Sequence, residues 1–194
     1  HEYVRRAAVE ELAKNFKDDP DTKSILKERA TQDDHEDVRY AAVEELTKNF
    51  KDDPDTKSIL KERVTQDDHE DVRRAAVTGL AKYFKDDRDS ETWLKERVTQ
   101  DDHYFVRGAA VQELAKYFKY QPELFDIYHN SAVNDPFERK EEDETNPRRI
   151  ALEIIIKQFP QHPQTLTLLR DRTENDPDKQ VRKFAQKKLA QLEK

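Results

Sequence analysis

The chain has 194 residues, of which 34% are hydrophobic and 41% are charged, and its formal net charge is −7. This composition is lean for one large hydrophobic core, and the negative charge disfavours a general nucleic-acid binder, which needs a basic surface. Cysteine is absent, which excludes disulfides and thiol chemistry, and no apolar run approaches the roughly 18 residues of a membrane span. We therefore expect a cytoplasmic protein without membrane contact.

The sequence repeats itself with a period of 34 residues. The first four copies are 1–34, 35–68, 69–102 and 103–136, and each begins with histidine. Such a period indicates supersecondary units that bury their apolar faces only by stacking on one another. Copies 1 and 2 differ only at Tyr3/Asp37, Arg6/Tyr40, Ala13/Thr47 and Ala30/Val64. Because the sequence begins within the array and contains no Met, we expect it to be a C-terminal piece of a longer protein.

Each copy contains two helical patterns. In copy 2, apolar residues recur at helical spacing from Val38 to Phe50 and predict an amphipathic helix, here called helix A. Asp53 and Pro54 then suit the N-cap and first position of a second helix, helix B, which continues through Val64. No alternating strand pattern is present, so the sequence predicts an all-α fold.

The fifth copy departs from the array. Residues 137–146 form a charged insertion with too little apolar surface to pack, for which we expect a loop. Pro147 opens another helix A and residues 163–174 give another helix B. Residues 147–194 therefore contain a fifth repeat and a last helix at about 178–193, whose polar outer side is typical of a C-terminal cap.

A motif of aspartate, Val-Arg, Ala and Leu recurs where helix B leads into the next helix A. Each arginine falls inside the apolar arc of helix A, where an unpaired charge is costly. We therefore expect a ladder of Arg–Asp pairs, within or between repeats, that fixes the stacking. Its aspartates are Asp33, Asp67, Asp101 and Asp176, and its arginines are Arg39, Arg73, Arg107 and Arg182.

These residue types at these spacings resemble the short HEAT repeat over essentially the whole chain. The resemblance implies a right-handed α-solenoid of 34-residue helix pairs with a C-terminal capping helix. The Asp-Pro-Asp-Thr turns, together with the segments 134–139, 162–172 and 175–177, are also similar to the C-terminal HEAT region of bacterial NACHT-type (STAND) signalling NTPases. That likeness implies a sensor or autoinhibitory arm attached to an upstream NTPase domain, whose phosphate-binding loop this sequence lacks.

The histidines and carboxylates carry no sign of catalysis or metal binding. His1, His35, His69 and His103 recur once per repeat, and stacked helices lie about 8–10 Å apart, too far for their imidazoles to share an ion. No isolated pair of carboxyl groups lies in an apolar setting, as acid–base catalysis needs. We therefore expect no enzyme activity, no metal and no cofactor.

Two surfaces are candidates for binding a protein or another macromolecule. The first is a basic position of helix B, which the HEAT resemblance places on a concave face and which suits an extended acidic partner. The alternative is the outward side of helix A, where the copies vary and aromatic side chains are available to anchor an interface. The basic row consists of Lys27, Lys61, Lys95, His129 and Arg170, and the aromatic residues are Tyr40, Tyr104 and Phe105.

Three classes of function remain open from the sequence. The first is a protein-binding regulatory module. The second is a passive or engineered repeat scaffold, which the near-identity of copies 1 and 2 favours. The third is a HEAT-like lyase or DNA-repair subunit, which requires a pocket with convergent polar groups. The basic row also has an ordinary explanation as a solvated helix face, since charged runs are commonly of this kind.

Overall fold

The computed structural model describes residues 1–119 and 121–193, with their side chains except that of Arg88. These residues contain eleven α-helices and no strand, which confirms the predicted all-α fold of consecutive helix pairs. The helices are α1 (Glu2–Asn15), α2 (Pro20–Gln32), α3 (Glu36–Asn49), α4 (Pro54–Gln66), α5 (Glu70–Tyr83), α6 (Arg88–Gln100), α7 (Tyr104–Tyr117), α8 (Leu124–Asn134), α9 (Pro147–Gln158), α10 (Thr165–Asn175) and α11 (Lys179–Leu192).

The start of helix B follows the predicted capping chemistry. Asp53 is the N-cap of α4 and its carboxylate accepts a hydrogen bond of 3.0 Å from the backbone N–H of Asp55. Pro54 occupies the first helical position, where its missing N–H removes no intrahelical bond. The equivalent residues Asp19 and Pro20 begin α2 in the same way, so both helices start at the expected residue.

The first compact unit comprises His1–Ser90. Helix α1 packs on α2 and α3, α2 contacts α3 and α4, and α5 packs on α3 and α4. The predicted stripe of α3 forms its core, where Val38 and Leu46 are completely buried. Val4, the repeat equivalent of Val38, is 69% exposed because no helix among the described residues covers that side of α1.

The second compact unit comprises Glu91–Lys194. Helix α9 packs on α7 and α8 and contacts α10 and α11, while α11 packs on α10. Leu152 and Ile155 of α9 and Val181 of α11 are completely buried. The described part of α11 runs from Lys179 to Leu192, close to the predicted final helix.

The segment between α8 and α9 contains no helix, but it is packed against the fold. Phe137 is only 5% exposed, and its ring meets that of Tyr104 edge-on with centroids 4.8 Å apart. The expectation that this insertion has too little apolar surface to pack is therefore wrong at Phe137. One aromatic side chain anchors a stretch that is otherwise charged.

Candidate functional site

Arginines of the A helices form two-point ion pairs with the aspartate near the end of their own repeat. Arg39 of α3 donates from Nε and Nη2 to the two carboxylate oxygens of Asp67, at 2.9 Å in both cases. Its third nitrogen, Nη1, donates to the backbone carbonyl of Asp33 at 3.0 Å. Asp67 follows α4, so the ion pair joins helix A of repeat 2 to the end of the same repeat, and the bond to Asp33 reaches the preceding repeat. The equivalent pairs are Arg5–Asp33, Arg107–Asp135 and Arg148–Asp176.

Asp67 remains ionised because several donors converge on it. Burial alone raises the pKa of this carboxyl, but hydrogen bonds from Arg39 and from the backbone N–H of His69 outweigh burial and hold the pKa below its ordinary value. Arg63 lies one helical turn before Asp67 and adds a further hydrogen bond of 3.3 Å. The aspartate therefore has donors from both repeats that meet at it.

Other predicted ladder residues make hydrogen bonds with the backbone. Arg73 donates to the carbonyl of Asp67 at 2.9 Å, and Asp101 accepts from the backbone N–H of His103 at 3.0 Å. Arg182 donates to the carbonyls of Asp176 and Pro177. Three members were missed by the sequence, namely Arg5, Asp135 and Arg148, although the 28-residue spacing between partners recurs throughout.

The recurring histidines cap the A helices. His35 is the N-cap of α3, and its Nδ1 accepts from the backbone N–H of Asp37 at 3.2 Å. His69 and His103 make the same contact for α5 and α7, whereas His1 makes no side-chain cap. Among residues 1–119 and 121–193, no group of three His, Asp or Glu side chains is arranged to hold a metal.

The basic row is occupied by ion pairs. In the first unit, Lys27 lies 2.9 Å from Asp53 and 2.7 Å from Asp55, and Lys61 lies 3.2 Å from Asp89. Burial lowers the pKa of Lys27, but its hydrogen bonds to Asp55 and Asp53 outweigh burial, so the pKa lies above its ordinary value. These ammonium groups already contact carboxylates of the following repeat.

The same holds in the second unit. Lys95 pairs with Glu91 at 2.6 Å, and Arg170 pairs with Glu193 at 2.8 Å. His129 lies beside the ring of Phe125, with centroids 5.8 Å apart. The row therefore does not present a set of unpaired cations to an acidic partner. The sequence pattern did not show this, because the paired carboxylates lie at other positions of the sequence.

The three predicted aromatic residues differ in their accessibility. Phe105 is 46% exposed and stacks on His103 with ring centroids 5.8 Å apart. Tyr104 is half-buried, and its ring packs against that of Phe137. Tyr40 is half-buried and its hydroxyl donates to Glu44 at 2.7 Å.

The segment between α8 and α9 is fixed by Arg139. The guanidinium donates to Asp178 from Nε and Nη2 at 3.0 and 2.8 Å and reaches the carbonyl of Glu142 at 3.3 Å. Burial raises the pKa of Asp178, but hydrogen bonds from Arg139 and Asn146 lower it more, so the pKa is below its ordinary value. Asp178 is also the N-cap of α11, which couples this segment to the last helix.

A cavity of about 910 Å³ lies between this segment and the start of α11. Its lysines are Lys140, Lys179 and Lys183, and its outward carboxylates are Glu138, Glu141 and Glu142. Cationic and anionic side chains are thus present in equal number at the rim. This balance gives the cavity no preference for one sign of ligand charge.

No helix in the described ranges combines the length and the apolar character that crossing a membrane requires. The family model described as HEAT repeats matches residues 1–81 and, in an overlapping match, residues 59–127. Comparison with curated proteins and with solved structures returned no match.

Proposed function

This chain belongs to the HEAT-repeat family, and from that premise we propose that it is a protein-binding module that acts by binding alone, without catalysis. Repeats of this family generally mediate protein interactions. Each unit offers surfaces made of helix faces, and the buried ladder fixes those faces without using their outward side chains.

One observation carries this proposal, namely that repeats 1 and 2 keep the same ladder and cap residues while half of their differences lie outside the apolar stripe. Of the four differences between repeats 1 and 2, the pairs Tyr3/Asp37 and Arg6/Tyr40 lie outside the apolar stripe of helix A. The other two, Ala13/Thr47 and Ala30/Val64, are buried. The ladder residues and cap histidines are the same in both copies. A repeat scaffold acquires a particular partner when surface residues change while the residues that hold the fold stay the same.

The A helices are the favoured binding surface, because the lysines of the B helices are already engaged. A partner that binds Lys27 or Lys61 must first displace Asp53, Asp55 or Asp89. The A helices carry half-buried Tyr40 and exposed Phe105, and aromatic side chains are enriched among residues that dominate binding energy.

A peptide-display selection tests this function directly. The chain is immobilised, a random twelve-residue library is panned against it, and enriched peptides are resynthesised and titrated by calorimetry. We expect saturable binding that Tyr40→Ala weakens and that Lys14→Ala, an exposed control on α1, leaves unchanged. Enrichment no greater than on a blank surface contradicts the proposal.

We further propose that the module serves as the sensor or autoinhibitory arm of a bacterial NACHT-type NTPase. The support is the likeness of its Asp-Pro-Asp-Thr turns and of its final repeat to the C-terminal HEAT region of such proteins. The coding sequence upstream of His1 tests this: a Gly-x-x-x-x-Gly-Lys-Ser/Thr loop is expected there. If an NTPase domain is present, peptides that bind the module should also change its hydrolysis rate. A passive scaffold predicts neither result.

A further inference from the structure

A groove lies between α3 and α5 in the first unit. It encloses about 480 Å³, within the roughly 300–1,000 Å³ typical of ligand pockets. Small side chains form its floor and tyrosines stand at its walls. The floor comprises Thr47, Ala75, Thr78 and Gly79, the walls Tyr40 and Tyr83, and the charged rim Glu44, Glu45, Lys48, Arg74 and Lys82.

Departures from the repeated sequence converge on this groove. Two of the four positions at which repeat 2 differs from repeat 1, Tyr40 and Thr47, line it. Repeat 3 then contributes Thr78, Gly79 and Tyr83, where repeat 2 has Glu, Glu and Asn. Stacking alone does not require these changes, because the layer formed by α1 and α3 packs with the common residues.

Thr47 and Gly79 form a compensating pair at the floor. A Cβ atom on residue 79 would lie 2.8 Å from Cγ2 of Thr47 and 3.0 Å from its Oγ1, closer than real contacts allow. At the corresponding positions of the preceding layer the chain has Ala13 and Glu45. The exchange allows the helices to pack here and removes the acidic side chain that would otherwise cover the groove.

One buried hydrogen-bond donor beside the groove has no acceptor. Nε of Arg74 is buried without a hydrogen-bond partner, while Nη2 of the same side chain donates to Asp71 at 3.1 Å. The nearby carboxylates are already engaged, since Glu44 accepts from Tyr40 and Glu45 accepts from Asn49 at 2.6 Å. An unsatisfied buried donor is costly. Because the Arg74 side chain as a whole is 39% exposed, a rotation of its guanidinium brings this donor to a ligand oxygen and removes that cost.

We infer that the α3–α5 groove binds a peptide segment of a partner protein through one apolar side chain and one adjacent carboxylate. The apolar side chain lies on Gly79 between Tyr40 and Tyr83, and the carboxylate accepts from Nε of Arg74. The lining carries three cationic side chains, Lys48, Arg74 and Lys82, against two glutamates, so its net charge favours a carboxylate although Lys48 lies 3.5 Å from Glu45. This inference rests on the proposed protein-binding function and assigns it a surface and a partner chemistry.

The test uses the whole chain, labelled with ¹⁵N, and a defined peptide, acetyl-Ser-Gly-Phe-Asp-Gly-Ser-amide, titrated by NMR. We expect saturable shifts in the amides of α3 and α5. Replacing Asp of the peptide by Asn, or Phe by Ala, should weaken binding about tenfold, since each removes one charge-assisted hydrogen bond or one buried side chain.

Two variants of the chain make the test specific. Thr47→Ala/Gly79→Glu restores the residues of the preceding layer, so it should keep the circular dichroism spectrum and melting temperature while weakening the peptide about tenfold or more. Arg74→Ala should weaken the peptide, whereas Arg6→Ala at the equivalent position of α1 should not. Unchanged affinity in the folded double variant overturns the inference.

The remaining outcomes separate this inference from the proposed function. If display-selected peptides bind the chain but do so equally well in the Thr47→Ala/Gly79→Glu variant, the module binds proteins at another surface and only the groove assignment fails. Binding of free phenylacetate as tightly as the peptide indicates a small-molecule site and overturns the peptide assignment. If neither selected peptides nor the defined peptide binds, the proposed function fails as well.

Discussion

Each buried arginine of the ladder joins two repeats through a single side chain. The sequence predicted a partner for Arg39 because the residue falls within an apolar arc, but it left open whether that partner lay in the same repeat or the next. The structure selects Asp67, 28 residues downstream in the same repeat, and uses the carbonyl of Asp33, in the preceding repeat, for the remaining nitrogen. Periodicity alone does not determine this choice, because Asp33 and Asp67 occupy identical positions in their repeats.

Loss of Arg39 should destabilise the chain strongly. Arg39→Ala leaves the completely buried carboxylate of Asp67 without its two-point partner, and removing one member of a buried pair costs about 3 to 5 kcal/mol. Urea unfolding followed by circular dichroism measures this free energy. The control Arg6→Ala, on an exposed side chain, should change it by less than about 0.5 kcal/mol. Equal effects of the two substitutions would refute the burial of the ladder.

Acid should remove the contribution of the ladder over a defined range. Burial raises the pKa of Asp33, but hydrogen bonds from Arg5 and the His35 backbone outweigh it and lower the pKa from 3.8 to about 2. A lowered pKa in the folded state stabilises the protein above the unfolded value, and this stability is lost as the pH falls from about 4 to 2.

Urea unfolding at several pH values checks this acid dependence. The unfolding free energy of Asp33→Asn should lie below that of the wild type at pH 7, and the two curves should converge near pH 2. Asp18→Asn, at an exposed turn position, should run parallel to the wild type. If the unfolding free energies of the wild type and Asp33→Asn differ by the same amount from pH 7 down to pH 2, the assignment is wrong.

Helix ends show how far local patterns carry and where they fail. Asp53 and Pro54 were sufficient to predict the start of α4, because both act on backbone within one turn. The role of His35 was not predicted, since histidine is an uncommon N-cap and its regular spacing first raises the question of a metal. Phe137 was missed for a different reason, because its partner Tyr104 lies 33 residues earlier in the sequence.

The cap histidines should contribute measurable stability to the A helices. His35→Ala removes the acceptor for the Asp37 backbone N–H, and loss of an N-cap typically costs about 0.5 to 2 kcal/mol. His35→Asn, which supplies another capping acceptor, should restore the stability. His1→Ala provides the matched control because His1 makes no such bond. Thermal melts of the three variants decide the matter, and equal melting temperatures for His35→Ala and His1→Ala would exclude a capping role.

At the scale of the whole molecule, repetition makes the frame predictable and the exceptions informative. The 34-residue period, the capped helices and the arginine motif predicted stacked helix pairs of the HEAT type, which the helices and the family match confirm. The candidate site was harder to predict. The basic row repeats with the frame and is neutralised by neighbouring carboxylates, whereas the α3–α5 groove depends on which side chains of two different repeats meet.

The central claim is that the repeated residues hold the frame and that the exceptions bind the partner. It is tested by restoring the common residues at the five groove exceptions in one variant: Tyr40→Arg, Thr47→Ala, Thr78→Glu, Gly79→Glu and Tyr83→Asn. The affinity for the acetyl-Ser-Gly-Phe-Asp-Gly-Ser-amide peptide is measured by NMR titration beside the wild type, with urea unfolding of both proteins as the check on the frame. The account predicts an unfolding free energy within about 1 kcal/mol of the wild type and an affinity reduced about tenfold or more. A stable variant that binds the peptide as tightly as the wild type would contradict it.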